Sequence, residues 1–91
     1  MKKMDVHKLD RMKELLKEEE TFPLEYTFKF IVPTAKLSEI LSFFPNDENI
    51  ETKPSSKGSY ISVTVNRMVQ SADEVVKTYE VVSVIDGIIS L

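Results

Sequence analysis

Residues 25–32 read Glu25-Tyr26-Thr27-Phe28-Lys29-Phe30-Ile31-Val32, with large apolar side chains at 26, 28, 30 and 32 alternating with Glu25, Thr27, Lys29 and Ile31. A period of two carried by aromatic and β-branched residues marks a strand with one face buried and the other free. On its N-terminal side, Phe22-Pro23 interrupts a helical pattern over residues 5–20, where Leu9, Met12, Leu15 and Leu16 form a narrow apolar stripe among Lys, Arg and Glu. Lys2 and Lys3 at the start of that helix, and Glu18, Glu19 and Glu20 at its end, oppose the helix dipole. The helix must therefore gain its stability by docking the stripe on its own domain, on a twin or on another protein.

On the C-terminal side, Pro33 closes the strand, and Thr34 is placed to cap a helix whose Leu37, Ile40, Leu41 and Phe44 share a face before Pro45 and Asn46. Residues 49–53 and 59–68 read as strands around the turn Pro54-Ser55-Ser56-Lys57-Gly58, with Ile61, Val63 and Val65 on the buried side. Ser71 followed by Glu74 is a capping box, and it opens a helix over 72–83 with the stripe Val75, Tyr79 and Val82. Asp86-Gly87 turns the chain into a last strand at 88–91. After the leading helix the order is βαββαβ. It predicts an α+β fold: a ferredoxin-like antiparallel sheet with two helices on one face, residues 1–20 being a helical extension and 21–91 the domain.

A chain of 91 residues supports one core, and apolar and charged shares of 42% and 30% exclude a disordered chain. The absence of cysteine excludes disulfides, thiolate zinc sites and cysteine nucleophiles, and fits a cytoplasmic location. A net charge of −3, with basic residues scattered from Lys2 to Lys77, disfavours general nucleic-acid binding. Asp5, Asp10 and Arg11 stand where an export signal needs apolar residues. The most apolar stretch, 81–91, contains Asp86 and falls short of the roughly 20 residues of a membrane span.

Motifs for catalysis are thin. Gly58 and Gly87 are the two glycines, too few for a phosphate-cradling loop, so Ser55-Ser56-Lys57-Gly58 reads as an anion-binding hairpin tip at most and as a solvated turn more plainly. The single histidine, His7, belongs to the leading helix, whereas the hydroxyls that could act as nucleophiles lie in the later sheet. Asp47-Glu48 and the run Glu18, Glu19, Glu20 lack the spaced oxygen ligands of a calcium loop. We expect no enzyme, no catalytic residue, no cofactor and no metal.

Alternation sends Thr27, Lys29, Ile31, Tyr60, Ser62, Thr64 and Asn66 to the face opposite the helices. Tyr60 is the one aromatic there, so base stacking, and with it RNA binding, is a minor alternative. A small polar face suits a second subunit, another protein, or a small ligand held between subunits. The candidate residues for ligand or partner binding are Lys29, Lys53, Ser55, Ser56, Lys57, Tyr60 and Ser62.

Phe22-Pro23, Tyr26-Thr27-Phe28-Lys29 and above all Lys53-Pro54-Ser55-Ser56-Lys57-Gly58-Ser59-Tyr60-Ile61-Ser62-Val63 resemble the YbeD family of small bacterial proteins of unknown function, over about residues 15–91. The resemblance implies a ferredoxin-like architecture similar to the ACT regulatory domains, and a regulatory role that has been linked to lipoate metabolism. The chain departs from that family at Val32-Pro33-Thr34, where a glycine is usual. The functional expectation is a non-catalytic regulatory or adaptor domain that senses a small molecule or binds an enzyme. The alternative is a purely structural interaction module.

Overall fold

A computed structural model describes residues 6–45 and 49–91, with the side chains of Val6, His7 and Glu19 left out. Lys2, Lys3, Asp47, Glu48 and the His7 side chain, all weighed above, lie outside the described residues. The elements are α1 (Val6–Glu19), β1 (Leu24–Pro33), a 3-10 turn (Thr34–Lys36), α2 (Leu37–Leu41), β2 (Ile50–Pro54), β3 (Tyr60–Val69), α3 (Ala72–Val82) and β4 (Ile89–Ser90). The fold is α+β: one four-stranded sheet, with every neighbouring pair antiparallel, in the order β2-β3-β1-β4.

The alternation in β1 becomes the core. Phe28, Phe30 and Val32 have no exposed surface, and their β3 partners Val65, Val63 and Ile61 are buried on the same face. α3 covers that face with Val75, Tyr79 and Val82, and Ile40 and Phe44 join the same cluster. The rings of Tyr26, Phe28, Phe30, Phe44 and Tyr79 lie 4.7 to 6.5 Å apart in tilted, edge-on and offset arrangements, which adds to the burial of their surface. Burial raises the Tyr79 phenol above its ordinary pKa, and its hydroxyl lies 3.3 Å from that of Tyr26, which raises it further.

The helix ends show how local signals meet their surroundings. Ser71 caps α3 by accepting the Glu74 N–H at 3.2 Å, while the Glu74 carboxylate accepts the Gln70 N–H at 3.2 Å. The reciprocal half of the capping box thus falls one residue earlier than its usual form. Thr34 does not cap a helix. Its hydroxyl donates to the Gly58 carbonyl at 2.6 Å and its N–H to the Ser59 carbonyl at 3.0 Å, so the chain leaves β1 as a 3-10 turn and α2 shrinks to five residues, leaving Phe44 beyond it. The last strand begins at Ile89, because the Ile88 N–H is held in a turn by the Ile85 carbonyl.

α1 docks on α3 through Leu9, which is buried, and through Met12 and Leu16. Leu15 departs from the expected stripe and is 56% exposed. At about 3.6 residues per turn the i, i+3 and i+7 positions Leu9, Met12 and Leu16 share the side that meets α3, whereas Leu15 is rotated about 100° from Leu16 and turns outward. Lys13 pairs with Asp73 across the two helices; the pairing lowers the Asp73 carboxyl pKa and raises that of the Lys13 amine.

Candidate functional site

The face of the sheet turned away from α3 is lined by alternate residues of four strands. Pairing sets Lys29 beside Thr64 and Thr64 beside Glu51; one step along, Ile31 lies beside Ser62 and Ser62 beside Lys53. β4 adds Ile89 next to Ile31, and the Leu91 N–H donates to the Lys29 carbonyl at 2.9 Å. Lys29, Glu51 and Lys53 are exposed, Ser62 and Thr64 half-buried.

These rows bound a shallow depression of about 540 Å³ lined by Lys29, Glu51, Thr52, Lys53, Ser62 and Thr64. A second, of about 320 Å³, is lined by Ile31, Lys53, Pro54, Ser55, Ser56, Tyr60, Ile61 and Ser62. Lys53 and Ser62 belong to both. Lys29, Lys53 and Ser62 therefore gather around the first, and Lys53, Ser55, Ser56, Tyr60 and Ser62 around the second. Lys57 lines neither; it projects at the exposed hairpin tip.

Two of the candidate hydroxyls serve the backbone. Ser55 accepts the Tyr60 N–H on its side-chain oxygen at 3.2 Å, and its own N–H donates to the Tyr60 carbonyl at 2.8 Å. The Gly58 N–H closes the turn on the Ser55 carbonyl at 3.0 Å, with Gly58 at φ 75°, the left-handed conformation in which glycine is favoured. The Ser62 hydroxyl donates to the Lys53 carbonyl at 3.3 Å. Together with the two bonds from Thr34, these contacts tie the hairpin to the end of β1 and hold its tip in one shape. Ser55 and Gly58 thus serve the turn itself.

Chemically the larger depression offers two ammonium groups, one carboxylate and the hydroxyls of Ser62 and Thr64. That set can hold a small molecule carrying an acidic group near a basic one. Sequence reasoning missed Glu51, although the alternation of Ile50-Glu51-Thr52-Lys53 already places Glu51 and Lys53 on one side of β2. Among the described residues no group of three or more His, Cys, Asp or Glu is arranged to hold a metal ion. No described helix is long and apolar enough to cross a membrane.

Comparison with known proteins places the chain beside a family model and a curated relative. The family described as "Protein of unknown function (DUF493)" matches residues 17–91, which leaves most of α1 outside it. A UPF0250 protein of Vibrio parahaemolyticus is 32% identical over 82 residues, which covers 84% of this chain and 85% of that protein. No solved structure matches the chain at a significant level.

Proposed function

Because the chain belongs to the DUF493 family of proteins of unknown function, we propose that it is a regulatory or adaptor domain that works by binding on its open sheet face rather than by catalysis. The resemblance to YbeD-type small bacterial proteins agrees with this family. The single observation that carries the reading is the depression in which Lys29, Lys53 and Ser62 meet Glu51 and Thr64 on a face no described helix covers. The mixed charges around that hollow suit a small zwitterionic ligand, whose acidic group would meet Lys29 and Lys53 and whose basic group would meet Glu51. The ferredoxin-like reading of the fold is supported by the order β2-β3-β1-β4, in which each helix-bearing connection steps past one strand. By analogy with ACT domains of that architecture the proposed role is ligand sensing, and the absence of cysteine suits a cytoplasmic role.

A two-dimensional NMR titration of the full chain with glutamate, citrate and inorganic phosphate tests the proposal. The amides of Lys29, Lys53, Ser62 and Thr64 should shift together on adding one of these, and the shifts should be lost in a variant carrying Lys29→Gln and Lys53→Gln. Absence of shifts with all three probes, or shifts that survive the double substitution, would count against ligand binding here. A second reading, a structural interaction module, is favoured by Ile89 and Leu91, which are 50% and 62% exposed beside half-buried Ile31. On that reading Ile89→Ser would weaken a protein contact and leave the NMR titration unchanged.

A further inference from the structure

We infer that two copies of this chain join through the free edge of β2, in an antiparallel register centred on Thr52. The edge follows from the β2–β3 ladder. The Asn66 N–H donates to the Asn49 carbonyl at 3.1 Å and the Ser55 N–H to the Tyr60 carbonyl at 2.8 Å. In an antiparallel pair the bonded residues alternate, so Asn49, Glu51, Lys53 and Ser55 direct their main chain at β3, while Ile50, Thr52 and Pro54 direct theirs outward. β2 ends the sheet, and its outward row is two amides and three carbonyls, since proline has no N–H. Such a row is a template for another strand.

Charge selects the register. A two-fold axis at Thr52 sets Thr52 against its own copy, and the pair exchanges two N–H···O bonds. It sets the Ile50 N–H against the carbonyl of the partner's Pro54, so the missing proline amide costs one bond per chain. The same axis puts Glu51 opposite the partner's Lys53, and Lys53 opposite the partner's Glu51. These are non-hydrogen-bonded pairs, where facing side chains approach most closely. On the other side of the strand, half-buried Ile50 meets the partner's Pro54, which is exposed in the single chain. Moving the axis to Glu51 or to Lys53 brings like charges face to face, and moving it to Ile50 or Pro54 separates Glu51 from the partner's Lys53.

Lysine and proline on an edge usually guard it against pairing. Here the guard depends on sign: it repels the registers slipped by one residue, gives no Glu51–Lys53 attraction in those slipped by two, and accepts the one centred on Thr52. The contact is isologous and closes at two copies. It joins two four-stranded sheets into one and brings the two depressions lined by Glu51 and Lys53 to either side of the axis. It does not depend on whether those depressions hold a ligand.

Sedimentation velocity of the full chain over a concentration series at low salt tests the inference, with circular-dichroism melting to establish that each variant is folded. The unaltered chain should self-associate. Glu51→Lys and, separately, Lys53→Glu should each weaken association by roughly tenfold, because two attractive pairs become repulsive. Combining Glu51→Lys with Lys53→Glu should restore it, because the inverted pattern is again self-complementary. Added salt should weaken the dimers of the unaltered chain and of the double variant alike. A chain that stays monomeric throughout, a dimer that neither single substitution weakens, or a double variant no tighter than the single ones would overturn the inference.

Discussion

Phe28 and Lys29 are neighbours on β1, yet Phe28 has no exposed surface and Lys29 is exposed on the side that no described helix covers. The same contrast runs through β3, where Val63 and Val65 are buried while Ser62 and Thr64 stay half-open. The covered side is packed with aromatic and β-branched side chains that α3 seals. The open side is polar, mixed in charge and hollowed. The difference is one of energetics within one sheet: the covered side supplies the burial that makes the chain fold, whereas the side chains of the open side stabilise little, which is why the proposed binding is assigned to them.

The largest test of that division is Phe28→Ala, which opens a cavity at the centre of the aromatic cluster and should cost about 3–5 kcal/mol in chemical denaturation. A loss below about 1 kcal/mol would show that the covered side is not where stability resides. Leu9→Ala and Leu15→Ala extend the comparison to α1: the first removes a buried contact with α3 and should cost about 2–5 kcal/mol, the second an exposed side chain and no more than about 0.5 kcal/mol. Equal costs would mean that α1 does not dock as described.

Gly87→Ala probes the turn before β4. Gly87 has φ 79°, and an added Cβ would fall 2.8 Å from Pro33 Cγ, so the variant should lose about 1–3 kcal/mol through strain and displacement of the end of β1. On the open side, Lys29→Gln should change stability by no more than about 0.5 kcal/mol in the same denaturation experiment while removing whatever binding the face supports. A large loss of stability would make Lys29 a structural residue and remove the contrast.

The smallest effect belongs to the ion pair between α1 and α3. The folded Asp73 carboxyl titrates below its unfolded value, so the pair's contribution is present above the ordinary carboxylate range and is lost as pH falls through the folded pKa. Both groups are at the surface and screened. Thermal melting of the unaltered chain and of Asp73→Asn should therefore differ slightly at neutral pH and low salt, and converge in acid. A difference that grew on acidification would reverse the sign and refute the linkage.

The strands, the turns at Gly58 and Gly87, the Ser71 cap and the buried face were all legible in the residues, because each depends on partners within a few positions along the chain. Alternation over 25–32 is enough to divide Phe28 from Lys29. Most of the candidate site was legible for the same reason, as Lys29, Lys53 and Ser62 share the parity of the open face. What residue patterns could not decide was settled by contacts far apart in sequence. Thr34 has the chemistry of a cap, but Gly58, 24 residues on, takes its hydroxyl, and the helix is shortened as a result. Leu9 and Leu15 read alike along α1 until α3 selects the first and leaves the second in solvent. Glu51 becomes part of a lysine-bordered hollow only once β2 lies beside β3 and β3 beside β1. Local geometry dictates which way a side chain points, and only the packed chain decides what stands in front of it.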